Sequence, residues 1–332
     1  MGNGFQRGPG SWPTIDDLPP SHAFGKRRGR LRHYVACVLG SASFCLILFL
    51  LTVLTTLVVG VHLAANYSQH LPLFDLNISW AFFADIFKHP ERLWAGAPYA
   101  FTLVLILLAH EMGHYLTCRH YGIDATYPYF FPAPTLIGTF GAFIRIKSPL
   151  ATREELFDVG IAGPIAGFAV TLPALVVGVW HSNVMLTPEA SNTILLGHPW
   201  AVGLLVRLFH PGMSASHLEL SPVGCAAWVG LFLTALNLLP MGQLDGGHIV
   251  YAVLANRHRY VSLALFLALV PFGILFWGGW IFWAALMLVF GLRHPAPLIA
   301  PEQPLDPRRR VLAVLALAMF VLSFTISPFI VK

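Results

Sequence analysis

Long, charge-free apolar stretches limit how this chain can fold more than any other feature. The first begins near Tyr34 and runs for about 30 residues, well past the length a helix needs to cross a bilayer. The next, Ala97 to Ala109, also lacks any charge. In lipid every backbone polar group must be satisfied internally, so only helices and closed barrels can span. A barrel would show short strands of alternating character, and these stretches do not alternate. Composition agrees: 56% of residues are hydrophobic, 11% are charged, and mean hydropathy is +0.69. The sequence therefore predicts an all-α polytopic membrane protein with about 6–7 transmembrane segments in the lipid bilayer.

Residues 1–33 are polar, rich in Gly and Pro, and end in Lys26, Arg27, Arg28, Arg30 and Arg32. They read as a disordered basic cytoplasmic tail. A first span over 34–65 is too long for a cleaved signal peptide and reads as an anchor. An external loop over 66–96, a membrane core over 97–255 and C-terminal transmembrane segments over 256–332 follow. Within the core, apolar segments lie at 97–119, 156–180 and 222–240, and a polar loop covers 181–219. Segments 260–277 and 279–292 are separated by Gly278-Gly279 and read as two tilted helices or a re-entrant hairpin. A last span covers 311–330. Between the core spans, prolines in 127–134 exclude a helix, and 138–146 alternates weakly, which suggests a small membrane-associated β-hairpin or strand.

The net charge of +5 does not point to nucleic acid, because the basic residues flank apolar segments. If the spans alternate, sixteen of the twenty Lys and Arg residues fall on the side of the N-terminus. That asymmetry predicts a cytoplasmic N-terminus. Four cysteines in apolar surroundings form no C-x-x-C pair and imply no disulfide framework. The triplets Asn66-Tyr67-Ser68 and Asn77-Ile78-Ser79 fit a glycosylation pattern that is common by chance.

The charge-free run at Ala97 ends abruptly in His110-Glu111-Met112-Gly113-His114. On a helix, H-E-x-x-H puts both imidazoles on one face, where they can share a zinc ion, and leaves the glutamate as a general base. Ionisable groups in a membrane helix cost on the order of 2.5–3.5 kcal/mol each, so they ask for a functional reason. A hydrolytic zinc usually takes three protein ligands. His120 has the offset of a longer zinc pattern, but Thr117 replaces the glycine that would turn the chain. Cys118 lies one turn further on the same face, and three ligands on one straight helix cannot close a tetrahedron. Asp245 sits in a helix break beside Gly246 and Gly247, deep in apolar sequence. Alone it reads better as a helix N-cap. Beside an unpaired His-Glu-His in the same membrane it reads better as a ligand.

Two motifs together, His110 to His114 and Asn237-Leu238-Leu239-Pro240-Met241-Gly242-Gln243-Leu244-Asp245-Gly246-Gly247, closely resemble the site-2 protease family of intramembrane zinc metalloproteases. The second is that family's N-x-x-P-x-x-x-L-D-G pattern. Gly138 to Ala142 and Ala162 to Gly167 are also similar to bacterial and plastid forms. The resemblance covers roughly 97–255, making that the catalytic core, and there is no room for a PDZ insert. It implies one zinc ion per chain held by His110, His114 and Asp245, with Glu111 as base and Asn237 as donor to the oxyanion. It also implies a single-span membrane protein as substrate, cleaved in or near its transmembrane segment in regulated proteolysis, in a bacterial inner membrane. No nucleic-acid partner is expected.

Two alternatives compete. A membrane zinc protease of the prenyl-peptide-processing type needs a downstream glutamate as third ligand, and Glu219 and Glu302 are poorly placed for it. A metal transporter or other non-proteolytic metal-binding protein would need polar residues along several spans, and these spans are clean outside the two motifs.

Overall fold

A computed structural model of the chain describes residues 42–71, 73–75, 80–184, 193–215, 218–242, 244–290 and 305–331. The chain divides into two units between Phe44 and Cys45. The helices are α1 (Ala42–Ser68), α2 (Trp80–Lys88), α3 (Ala97–His120), α4 (Arg153–Trp180) and α5 (Trp200–Phe209). They continue with α6 (Pro222–Asn237), α7 (Asp245–Leu254), α8 (His258–Leu275), α9 (Gly279–Phe290) and α10 (Pro307–Ser323). Local chemistry sets several starts. Thr152 and Glu155 form a capping box at α4, Ser221 caps α6 ahead of Pro222, and Asp306 caps α10 ahead of Pro307.

The centre is α4, which packs on α3, α6 and α7. Small residues bring the backbones together: a Cβ on Gly113 of α3 would collide with the Ala162 carbonyl of α4. Around this contact the fully buried side chains Tyr99, Leu103, Phe157, Leu175, Trp228 and Leu231 fill the core. Helix α6 is buried along almost its whole length, so protein rather than lipid surrounds it.

Among the described residues, four helical stretches are long and apolar enough to cross a membrane: Ala42–Ser68, Pro90–His120, Arg153–Trp180 and Asp245–Leu275. The chain is an integral membrane protein by this measure. The segment at 222–240 is a 16-residue helix. The stretch at 311–330 is not one helix. Helix α10 ends at Ser323, and beyond it Thr325, Ile326 and Pro328 favour extended chain, so Phe329–Val331 forms a strand. The 181–219 loop is also more structured than its polarity suggests, since it contains α5 and three short strands.

Among the described residues, three small sheets complete the fold. β1 (Phe74–Asp75), β5 (Thr193–Leu196) and β7 (Phe329–Val331) pair antiparallel in the order β1-β5-β7. β4 (Asn183–Val184) pairs with β6 (Leu218–Glu219). The expected hairpin is β2 (Tyr129–Pro132) against β3 (Thr139–Phe143), with a register shift between Phe131 and Pro132. Proline is tolerated at such an irregularity, so the proline-rich segment supplies one strand. The hairpin turn is tied down: Thr55 Oγ1 donates to the Gly138 carbonyl at 2.6 Å, and Tyr99 Oη to the Ile137 carbonyl at 2.9 Å.

Asn66 is buried in α1, and its amide donates to His62 Nε2 and the Leu73 carbonyl. The acceptor asparagine of that glycosylation triplet is therefore buried. Asn77 and the tail over 1–33 lie outside the described residues.

Candidate metal centre

α3 and α7 bring their polar residues to one point against α4. His110 and His114 lie one turn apart on α3, and their Nε2 atoms are 3.1 Å from each other. Asp245 is the first residue of α7, and its Oδ2 lies 3.2 Å from His110 Nε2 and 3.3 Å from His114 Nε2. These residues form the potential metal-binding group found among the described residues. Tetrahedral zinc with bonds of about 2.0–2.1 Å keeps its ligand atoms about 3.3–3.4 Å apart. The three observed edges nearly match one face of that tetrahedron.

The hydrogen bonding explains why a cation belongs there. The Val159 carbonyl can only accept, so His114 Nδ1, 2.7 Å away, must donate to it. In the neutral ring that leaves the Nε2 lone pair aimed at His110 and Asp245. Three electron-rich atoms then face one another in a buried site, which favours a positive centre between them. Both histidines are 7% exposed and Glu111 is 4% exposed.

The surroundings hold this arrangement closely. Gly163 of α4 lies against His114, and a Cβ there would overlap the imidazole. Gly167 lies similarly against His110. The far end of α7 is held as well: buried Arg153 donates to the Ala252 carbonyl from Nε at 3.0 Å and from a terminal nitrogen, and to Val253 at 3.2 Å. These carbonyls close α7, which has no intrahelical donors left for them. Behind the 238–244 break, Ser262 donates to the Pro240 carbonyl at 2.9 Å and lies 3.2 Å from buried His258.

Asn237 closes α6, and its Nδ2 lies 3.1 Å from His110 Nε2. β3 packs against α3, the helix that carries Glu111. His110, His114, Asp245 and Asn237 therefore meet, and Glu111 is buried next to His110 on α3. Cys118 packs with Ile123 and Val159 instead, and His120 is exposed against Tyr121. Glu219 lies on β6 facing His70, apart from the cluster. Glu302 is outside the described residues. The Val159 carbonyl and the Arg153 cap had no side-chain signature to find; only the small residues of 162–167 hinted at a close approach.

Residues 98–277, more than half of the chain, match Peptidase family M50. The chain belongs to this family, that of the site-2 proteases. The M50 match includes both motifs and stops before α9 and α10. Among similar proteins is the Arabidopsis thaliana "Probable zinc metalloprotease EGY2, chloroplastic", 31% identical over 248 residues, covering 73% of this chain and 44% of the relative. The Arabidopsis EGY1 protein, named in the same terms, is 35% identical over 188 residues, 54% of this chain and 32% of its own length. A rice protein named as a probable zinc metalloprotease EGY3 is 27% identical over 188 residues, 52% of this chain and 31% of its own. The chain thus spans less than half the length of these curated relatives.

Proposed function

We propose that the chain is an intramembrane zinc metalloprotease that hydrolyses peptide bonds in or near the transmembrane segment of a membrane-anchored protein. The observation that carries this reading is the convergence of His110, His114 and Asp245 with Glu111 and Asn237, inside a bundle of membrane-length helices. His110, His114 and Asp245 would hold the zinc, and Glu111 is the base. Bound there, zinc lowers the pKa of a water and polarises the scissile carbonyl. Glu111 takes the proton from the attacking water and passes it to the leaving amine. Asn237 donates from Nδ2 to the oxygen on which negative charge develops.

The hairpin addresses the substrate. A transmembrane helix hides its peptide bonds in i to i−4 hydrogen bonds, so it must extend before attack. Among the described strands β3 pairs only with β2, which leaves its second edge available to an extended peptide. Phe140 and Phe143 are exposed on it, and β3 packs against α3, the helix that carries Glu111. A strand added there would lie along the hairpin that packs on the helix of the base.

The shorter apolar helices 222–237 and 279–289 and the helix α10 bring the transmembrane count to about 6–7 in this reading. The basic loops put the N-terminus and the active site on the cytoplasmic side. The relatives carry chloroplast names, so a plastid membrane, with its stroma in the place of the cytoplasm, stands beside the bacterial inner membrane as the setting. Regulated proteolysis of a single-span protein is the role that fits such a site.

The test uses the purified full chain. Wild type is expected to bind one zinc and cleave a single-span substrate, while Glu111→Gln keeps the zinc and loses cleavage. Cleavage retained by Glu111→Gln would rule out the proteolytic reading. Zinc binding without cleavage by wild type would favour the non-proteolytic alternative.

A further inference from the structure

Helix α10 lies outside the residues that match the family, yet its Arg309 reaches the turn of α4 that supports the metal centre. Arg309 Nε lies 2.8 Å from Asp158 Oδ1 and its Nη2 2.6 Å from Oδ2, a two-pronged pair. Tyr121, the C-cap that follows α3, donates its hydroxyl to the same carboxylate, and Arg309 Nη2 is 3.3 Å from that hydroxyl. Asp306, the cap of α10, holds the other side of the guanidinium, with Glu154 at 3.5 Å. Three helices are thus fastened at one carboxylate.

The next residue is Val159, whose carbonyl receives the His114 Nδ1 proton. Consecutive residues of α4 are therefore gripped from α3 two turns apart, Val159 by His114 and Asp158 by Tyr121. Pro164 weakens the helix's own hold on this turn, because it cannot donate to the Gly160 carbonyl. The Val159 carbonyl keeps its place in the helical ladder ahead of Gly163, and the Arg309–Asp158 pair holds from outside the turn that carries it.

We infer that Arg309, through Asp158, is a positioning residue for His114, fixing the carbonyl that orients the imidazole toward the metal. This rests on His114 being a zinc ligand. Outer partners of metal-bound histidines set ring orientation and tautomer, and their loss lowers metal affinity about 10- to 100-fold. Lysine keeps the charge but offers no planar fork, so Arg309→Lys recovers part of the effect.

The experiment measures zinc affinity of the full chain in detergent by competition with a chromogenic chelator, alongside thermal unfolding of the metal-free protein. Arg309→Ala and Asp158→Asn are each expected to weaken zinc about 10- to 100-fold, with the double variant no weaker than the worse single. Arg309→Lys should fall between wild type and alanine. Glu154→Gln, which removes another neighbour of Arg309 without touching the Asp158 fork, should stay within about twofold. Wild-type affinity in Arg309→Ala would overturn the inference. So would a loss matched by an equal loss of folded metal-free protein. If the alanine variant does not fold, Arg309→Lys and Tyr121→Phe decide: reduced affinity in both supports positioning, and unchanged affinity in both refutes it. His114→Ala separates the two claims. If it binds zinc as tightly as wild type, the ligand reading fails; if it loses zinc while Arg309→Ala does not, only this inference fails.

Discussion

His114 donates from Nδ1 to the carbonyl of Val159 at 2.7 Å, so a backbone atom of α4 decides which way a side chain of α3 faces. The contact requires that nothing stand between the helices, and Gly163 provides that space.

Gly163→Ala should therefore damage the metal site more than the fold. Its methyl would occupy the position of the His114 ring. The expected result is loss of bound zinc at stoichiometric metal, measured by elemental analysis, with destabilisation of about 1–3 kcal/mol from overpacking. Full zinc occupancy in this variant would mean that α3 and α4 are less closely fixed than described.

Asn237→Ala should separate catalysis from metal binding. Asn237 sits 3.1 Å from His110 Nε2 but belongs to no charged ligand set. Removing an oxyanion donor costs about 10²–10³ in kcat, with KM and zinc content little changed. Steady-state kinetics on a single-span substrate checks this, and an effect confined to KM would assign Asn237 to binding.

Proline substitutions along 139–143 should impair cleavage of a helical transmembrane substrate while leaving zinc in place. Proline removes the N–H that an added strand would use. An intact rate at every position would exclude strand addition to β3.

Arg153→Met should destabilise the protein by about 1.5–3 kcal/mol for each charged hydrogen bond that solvent does not replace. Arg153 closes α7 at the end opposite Asp245, so zinc affinity should fall with it. Chemical denaturation with and without zinc measures both effects.

A pH effect should arise away from the metal. Glu219 is 2% exposed, and both of its carboxylate oxygens lack a hydrogen-bond partner among the described residues. Burial pushes its carboxyl above the ordinary range, and nearby His70, 3.5 Å away, opposes the shift. The folded chain then holds this proton more tightly than the unfolded chain. The resulting stability is present below the ordinary carboxyl pKa of about 4.3 and is lost as pH rises through the folded-state value. Glu219→Gln should flatten the fall in Tm between about pH 4 and neutrality. An unchanged slope would show that Glu219 is not its source.

The site was largely legible because its chemistry is written in side chains at fixed spacing. His110 and His114 declare a shared face, and Asp245 declares itself by sitting between glycines where a helix breaks. Arg309 was not legible in that way. Its partner Asp158 lies 151 residues earlier, and on a basic loop it reads only as a topology signal. The number of spans was harder for a different reason. Hydropathy reports how apolar a segment is but not what surrounds it, so α6, enclosed by protein, looks like a helix in lipid. At 311–330 an apolar run hid the change from helix to strand after Ser323.

The donors of the metal centre are split along the chain, two on α3 and one at the start of α7. During synthesis α3 is complete long before Asp245 has been made. A ribosome paused anywhere in that interval displays a chain with two imidazoles, a glutamate and no third donor. The timing of translation alone would keep the metal centre from closing until most of its own bundle has been built around it.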